Sequence, residues 1–245
     1  MLITHNGKNL LIDAGTDIRF SLRDVGLSYK DINAIYLTHC HSDHVGGFEY
    51  LAFTTYFDPS CTEKIQLFGN SKLLRLAWNN SLKGGLESVQ VKVLNLNDYF
   101  DVCMIPDNGS FIWQDIKFRI VQSVHIMNGF CIVPTYGLMI EYKGKTIYYT
   151  GDVQCNPNQI KDFYDKSDLI IQDCETAYKS GVHAHYSELT ELNEKIRNKM
   201  YLVHFQDNIL DKEGHLLEEW KEKAKNNGFL GFVSKWQELE LRIEE

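Results

Sequence analysis

Short apolar runs recur along the chain, and several of them run into a single histidine or aspartate. Ala34-Ile35-Tyr36-Leu37 leads into Thr38-His39, Ile116–Val124 into His125, Thr146–Tyr149 into Thr150-Gly151-Asp152, Asp168–Gln172 into Asp173, and Met200–Val203 into His204. Runs of this length, with β-branched and aromatic residues and either alternation or continuous burial, predict strands. Polar residues placed one by one at strand ends assemble a site along one edge of a stack of sheets.

Between these strands the pattern predicts a hairpin, Leu2–His5 with Asn9–Asp13, turning through Asn6-Gly7-Lys8, where Asn-Gly accepts the positive φ of a tight turn. Asp17 is placed to cap a helix carrying Ile18, Leu22 and Val25, and Phe48, Leu51 and Ala52 mark a second. Lys64–Phe68 reads as a strand, Ser71–Asn80 as a helix and Val89–Leu96 as a weaker strand. A hairpin, Tyr136–Tyr142 with Thr146–Tyr149, turns at Lys143-Gly144-Lys145. Ser187 is expected to cap a helix through Leu192 and Ile196. Gly214–Asn227 reads as the last clear helix, Phe229–Val233 as a strand, and Trp236–Ile243 as either amphipathic helix or edge strand.

The 245 residues, without a linker-like stretch, are expected to form a single domain, 1–245. The formal charge of −8, with basic residues dispersed, argues against an extended nucleic-acid surface, because phosphate contacts supply most of that affinity. Six scattered cysteines without a Cys-x-x-Cys pair fit reduced thiols and a cytoplasmic setting, the host cytoplasm if the chain is phage-encoded. No apolar run reaches membrane-spanning length.

The chemistry concentrates in Thr38-His39-Cys40-His41-Ser42-Asp43-His44, followed by Val45-Gly46-Gly47. In an extended segment His39 and His41 share a face, and the turn beyond can bring Asp43 and His44 in from another side. Imidazole and carboxylate together suit zinc, and with less preference manganese or iron. Four such groups exceed the three that an open catalytic zinc takes from protein, so the stretch implies two divalent metals, Zn²⁺ first and Mn²⁺ as the substitute. A merely exposed polar loop is the competing reading. Cys40 should face away from the ligands and pack, His5 reads as a strand residue and His215 as a solvent-exposed one.

His39-x-His41-x-Asp43-His44 with His125, Asp152 and His204, preceded by Asp13-Ala14-Gly15, resembles the motif series of the metallo-β-lactamase superfamily from about residue 9 to residue 206. The resemblance implies an α/β fold, an αββα sandwich of mixed sheets with outer helices. It also implies one metal on His39, His41 and His125, a second on Asp43, His44 and His204, and Asp152 between them. The family often carries a further strand before the hairpin that opens this chain, so a clipped start or a shortened first edge is expected.

Asp168–Asp173 followed by His183-Ala184-His185-Tyr186-Ser187 resembles the tRNase Z branch, with Asp173 where that group has Glu and His185 where it has a catalytic His. By this resemblance Asp43, Asp173 and His185 are the catalytic residues: Asp173 orients His185 and raises its pKa, and His185 protonates the leaving oxygen. His183, placed on the opposite face, reads as a loop or subunit contact. Asp152 follows His125 by only 27 positions, and a hairpin uses most of them, which leaves no room for the arm with which tRNase Z grips tRNA.

The compact core is therefore similar to the small cyclic-nucleotide phosphodiesterases, among them the phage anti-Pycsar family. That similarity implies dimetal-activated hydrolysis of 3′,5′-cyclic mononucleotides (cCMP, cUMP, cAMP, cGMP), a small-nucleotide partner and a homodimer. Tyr56, Phe57, Phe130, Tyr136 and Phe205 are candidates for a wall against the base. A tRNA 3′-processing endonuclease and a non-enzymatic, metal-supported nucleotide sensor are the alternatives.

Overall fold

The structure is a computed structural model that describes residues 1–240, so the last part of the Trp236–Ile243 segment lies outside the described residues. The chain divides into two compact units, Met1–Ser110 and Phe111–Glu245.

The first unit is built on a five-stranded sheet in the order Leu2–His5, Lys8–Ile12, Ala34–Tyr36, Ile65–Asn70, Phe100–Ile105. The hairpin closes with His5 opposite Lys8 across Asn6 and Gly7, both at positive φ, as the Asn-Gly pair requires. From Lys8–Ile12 onward every pairing is parallel, which brings the carboxyl ends of four strands to one edge. Ala34, Ile35, Tyr36 and Leu37 have no exposed surface, which explains why this segment reads as an unbroken apolar run.

Helices Ile18–Asp24 and Phe48–Phe57 follow where expected, but the Asp17 carboxylate makes no cap bond; the Ile18 N–H is taken by the Gly15 carbonyl at 3.0 Å instead. The Ser71–Asn80 helix keeps its regular form only over Ser71–Ala77 and widens into a π turn, Trp78–Leu82, before a short helix, Lys83–Leu86. Val89–Leu96 forms no single strand but a small hairpin, Ser88–Val89 with Lys92–Val93.

The second unit carries a seven-stranded sheet in the order Gly231–Phe232, Met200–Val203, Leu169–Asp173, Lys145–Tyr149, Tyr136–Tyr142, Ile116–Gln122, Ser110–Trp113. The first four of these pair in parallel, and Tyr136–Tyr142 runs antiparallel to both its neighbours. The strands that lead into His125, Asp152, Asp173 and His204 thus point the same way and release those residues at one edge, where ligands collect in open α/β sheets.

Two helical expectations fail. Ser187 does not cap one helix through Ile196; His185 caps Tyr186–Leu189 and Asn193, accepting from the Lys195 N–H at 2.9 Å, caps Glu194–Arg197, so two capping side chains split the segment. The last helix begins at Glu218, because Asp211 accepts the N–H groups of Glu213 and His215 and Gly214 sits at φ +82°, fixing a turn where the apolar spacing suggested helix. Gly231–Phe232 is the paired part of the final apolar run, and Trp236–Glu240 is neither helix nor strand.

Candidate functional site

In the first unit the apolar strand ends at Tyr36, and the next residues are tied down by a buried carboxylate. Asp13, at φ +62°, accepts from the Thr38 N–H at 2.8 Å with one oxygen, and its second oxygen accepts from the Thr38 hydroxyl at 2.7 Å and lies 2.7 Å from Nδ1 of His44. Nδ1 of His39 lies 3.0 Å from the same Thr38 hydroxyl. Asp13 therefore orients His44 directly and His39 through Thr38. A non-glycine residue at positive φ is costly, and such strain gathers at sites whose surroundings over-determine it.

With both Nδ1 atoms engaged, His39 and His44 keep Nε2 as the nitrogen that can serve a metal. The His39 ring stands 4.6 Å from that of His41 and 4.0 Å from that of His44, and Nε2 of His44 is 3.4 Å from the Asp43 carboxylate. His41 precedes the single turn Ser42–Val45, which carries Asp43 and His44. His39 and His44 are buried, and Asp43 is exposed.

Cys40, between two of these histidines, is half-buried. Burial, helped by the charge of Asp13, pushes its thiol up to about 12.

In the second unit His125, almost wholly buried, has Nδ1 2.8 Å from the Val182 carbonyl, and its own carbonyl accepts from the Gln154 amide at 2.8 Å. One oxygen of Asp152 lies 3.8 Å from Nε2 of His125 and 3.7 Å from Nε2 of His204. His204 is held at φ +62°, with Nδ1 3.2 Å from Asp173. Asp152, Asp173, His183 and His204 each bring a ligand atom within 4.8 Å of the others.

The donor set fits a divalent metal. Two donors sharing an ion at about 2.0–2.1 Å stand roughly 3–4 Å apart, whereas hydrogen bonds are shorter. The spacings of 3.4 Å between His44 and Asp43, and of 3.8 and 3.7 Å at Asp152, fall in that interval. Nδ1 of His39, His44, His125 and His204 is in each case held by an oxygen, the arrangement that orients imidazole ligands and fixes their tautomer.

The expected pair of Asp173 and His185 is not made. Nδ1 of His185 accepts from the Ser187 N–H at 3.2 Å and meets the Ser187 hydroxyl at 2.7 Å, so its ring folds back to cap its own helix. His183 takes the place instead, with Nδ1 2.8 Å from Asp173 and its ring 4.7 Å from that of His125 and 4.9 Å from that of His204. The cause lies in the loop after Asp173. Glu175 pairs with His185 in a backbone bridge and its carboxylate accepts from Ser180, while Gln206 and Asn208 bind Thr176, so the chain folds back and delivers His183.

Burial pulls the His183 imidazolium down, but the hydrogen bond and charge of Asp173, then the charge of Asp152, outweigh it and the net direction is up. Sequence reasoning also missed Thr38, Val182 and Gln154; backbone contacts and single hydroxyls leave no spacing to read. Of the aromatic candidates, Tyr136 is buried in its sheet, Phe205 packs edge-on against Phe232 at 5.2 Å, and Phe57 and Phe130 are exposed. His5 lies in its strand and His215 in an exposed turn, as expected.

Parallel strands that release His-x-His-x-Asp-His in one sheet, and a His, an Asp and a final His in another, define the metallo-β-lactamase fold. A solved diphosphatase of the PhnP family superposes on 99% of this chain and 83% of its own with a TM-score of 0.72, at 18% identity. More specifically, the chain belongs to the anti-Pycsar protein Apyc1 family, whose model matches residues 1–239. The anti-Pycsar protein Apyc1 of Paenibacillus xerothermodurans is 31% identical over 85% of this chain and 81% of its own length. That of Bacillus phage vB_BsuM-Goe3 is 30% identical over 83% and 80%. Among the described residues no helix is long and apolar enough to cross a membrane.

Proposed function

We propose that the chain is a metal-dependent phosphodiesterase that opens 3′,5′-cyclic nucleoside monophosphates and so removes a cyclic-nucleotide defence signal. Membership of a family named for countering Pycsar defence supports the biological side. On the chemical side one observation carries the reading. Asp173 holds two histidines at once, His204 at 3.2 Å and His183 at 2.8 Å, and His183 belongs to neither proposed ligand trio.

In this reading His39, His41 and His125 hold one divalent ion, Asp43, His44 and His204 a second, and Asp152 is shared, with zinc the preferred metal. Bound there, such ions supply a nucleophile at neutral pH and offset the charge that grows on phosphorus. The residues of the chain do the rest. Asp13 and Asp173 keep the imidazoles aimed; Asp173 accepts the Nδ1–H of His183 and favours its imidazolium, whose Nε2–H is the proton given to the departing ribose oxygen, leaving the neutral ring. The active form is taken to be a homodimer, on family resemblance, and light scattering of the purified protein tests it.

Purified protein supplied with Zn²⁺ or Mn²⁺ should convert at least one of cCMP, cUMP, cAMP and cGMP to the linear monophosphate; no turnover of any would overturn the reading. His183→Asn should lower kcat by about 10²–10⁴ with metal content unchanged, the range for loss of a positioned acid. His185→Ala should instead cost about 1 kcal/mol of stability, as a lost helix cap, with kcat near the parent value. The reverse pattern would restore His185 as the acid.

A further inference from the structure

Glu175, two residues beyond Asp173, is a buried carboxylate, 2% exposed, and among the described residues it joins none of the groups of potential ligand atoms. A carboxylate taken out of water is costly unless hydrogen bonds offset the loss. Here it accepts the Ser180 N–H at 2.7 Å, reaching across a closed loop. The Glu175 N–H donates to the Ala184 carbonyl and the Tyr186 N–H to the Glu175 carbonyl, both at 2.9 Å, so the two ends of the segment 176–183 meet. Compact loops with adjoining ends are packed by their own side chains and frequently carry function.

From Ser180 the hold passes along the chain. The Ser180 hydroxyl accepts the Val182 N–H at 3.2 Å, and Gly181 between them sits at φ +80°, a conformation glycine takes without strain. The Val182 carbonyl lies 2.8 Å from Nδ1 of His125, and the next residue, His183, meets Asp173 at 2.8 Å. The two imidazole rings stand 4.7 Å apart. The short stretch 180–183 thus sets a proposed metal ligand by its backbone and the proposed acid by its side chain. Gln206 and Asn208 secure the start of the loop, at Thr176 and Ala177. The Lys179–Glu188 pair at its tip faces solvent, with the Lys179 side chain 56% exposed, and such pairs contribute little. Asp173 fixes one nitrogen of the His183 ring, but the direction of the other depends on where the backbone holds the residue. That is what the Glu175 carboxylate decides.

We propose that Glu175 is a positioning residue for proton delivery: acting through Ser180, it places the backbone of Val182 and His183 so that Nε2 of His183 meets the departing oxygen. The inference rests on the reading of His183 as the acid and adds the group that aims it. Misplacing a reacting group by about 1 Å costs up to about 10²-fold, and losing a positioned acid about 10²–10⁴-fold.

Leaving-group dependence tests it in the full chain. Assays at saturating Zn²⁺, so that a weaker hold on His125 does not limit the rate, compare a cyclic nucleotide the parent cleaves with bis(4-nitrophenyl) phosphate, whose 4-nitrophenolate departs without a proton. Glu175→Ala should lower kcat for the cyclic nucleotide by about 10–10²-fold with KM near the parent value, and change kcat for the nitrophenyl diester by no more than about twofold. Glu175→Gln keeps an oxygen that accepts the Ser180 N–H and should restore most of the loss. In a His183→Asn background Glu175→Ala should add nothing further, as for residues that act as a unit. Should the buried alanine variant misfold, Ser180→Ala removes the hydroxyl that holds Val182 from an exposed position, and it should show the same selective loss to a smaller degree. Equal losses on both substrates, or no loss in folded variants, would overturn the positioning role. A selective loss in His183→Asn without one in Glu175→Ala would overturn it and leave the acid assignment standing. A parent protein that opens no cyclic nucleotide would overturn the phosphodiesterase reading and this inference together.

Discussion

Asp13 and Asp173 hold histidines by the same device, a buried carboxylate at a strand end with both oxygens engaged and more than one partner held. Asp13 takes Thr38 and His44; Asp173 takes His183, His204 and the Val153 N–H. Removing such an outer partner commonly costs 10–100-fold in metal affinity, so Asp13→Asn should weaken zinc binding by about that factor in a chelator-competition titration. Parent-like affinity in a folded variant would show that Thr38 and the backbone orient the rings unaided. The thiols give a second check at this scale: with Cys40 raised to about 12 by burial, iodoacetamide at pH 8 should label exposed Cys131 and spare Cys40 and buried Cys174. Early labelling of Cys40, read by peptide mass spectrometry, would mean that the metal-motif loop opens.

The candidate ligands were legible in sequence because each is a charged or imidazole side chain isolated against an apolar strand. The partner of Asp173 was not, because it depends on a loop closed by Glu175, Gln206 and Asn208, three polar residues with no periodic pattern among them.

Among elements, strands were easier to read than helices for a physical reason. A buried parallel strand such as Ala34–Tyr36 needs only apolar residues, whereas a helix boundary depends on which side chain wins the cap, and His185 and Asn193 each won one where Ser187 was expected to open a single long helix. Contact between the end of strand Lys8–Ile12 and the metal motif is closer still: a Cβ at Gly15 would stand 2.1 Å from the Asp43 carbonyl oxygen. Gly15→Ala must push the two segments apart, and an overpacking cost of about 1–3 kcal/mol is expected in urea unfolding. Gly84, in the helix Lys83–Leu86, has nothing within 4 Å of the place a Cβ would take, so Gly84→Ala should be neutral or gain up to about 1 kcal/mol. Equal effects at the two positions would rule out steric crowding as the reason for glycine at 15.

At the scale of the whole molecule, folding should be linked to metal, because the carboxylates and imidazoles are gathered only in the native state. An ion that binds the folded chain stabilises it by RT ln(1 + [L]/Kd), about 2.7 kcal/mol at a hundredfold excess over Kd. For a chain of 245 residues each kcal/mol moves Tm by roughly 2–4 °C, so saturating zinc should raise Tm by about 5–10 °C over protein stripped with a chelator. Zinc needs neutral imidazole, so protonation competes with it, and the increment should shrink as pH falls through the ordinary histidine range near about 6.5. Thermal scans with and without zinc between pH 5.5 and 8 read both effects, and the triple variant His39→Ala, His41→Ala, His44→Ala separates the motif from adventitious binding by the rest of the surface. The zinc increment should be largely lost in that variant at every pH; if it survives, the stabilising ion sits elsewhere and the ligand assignment in the first unit is wrong.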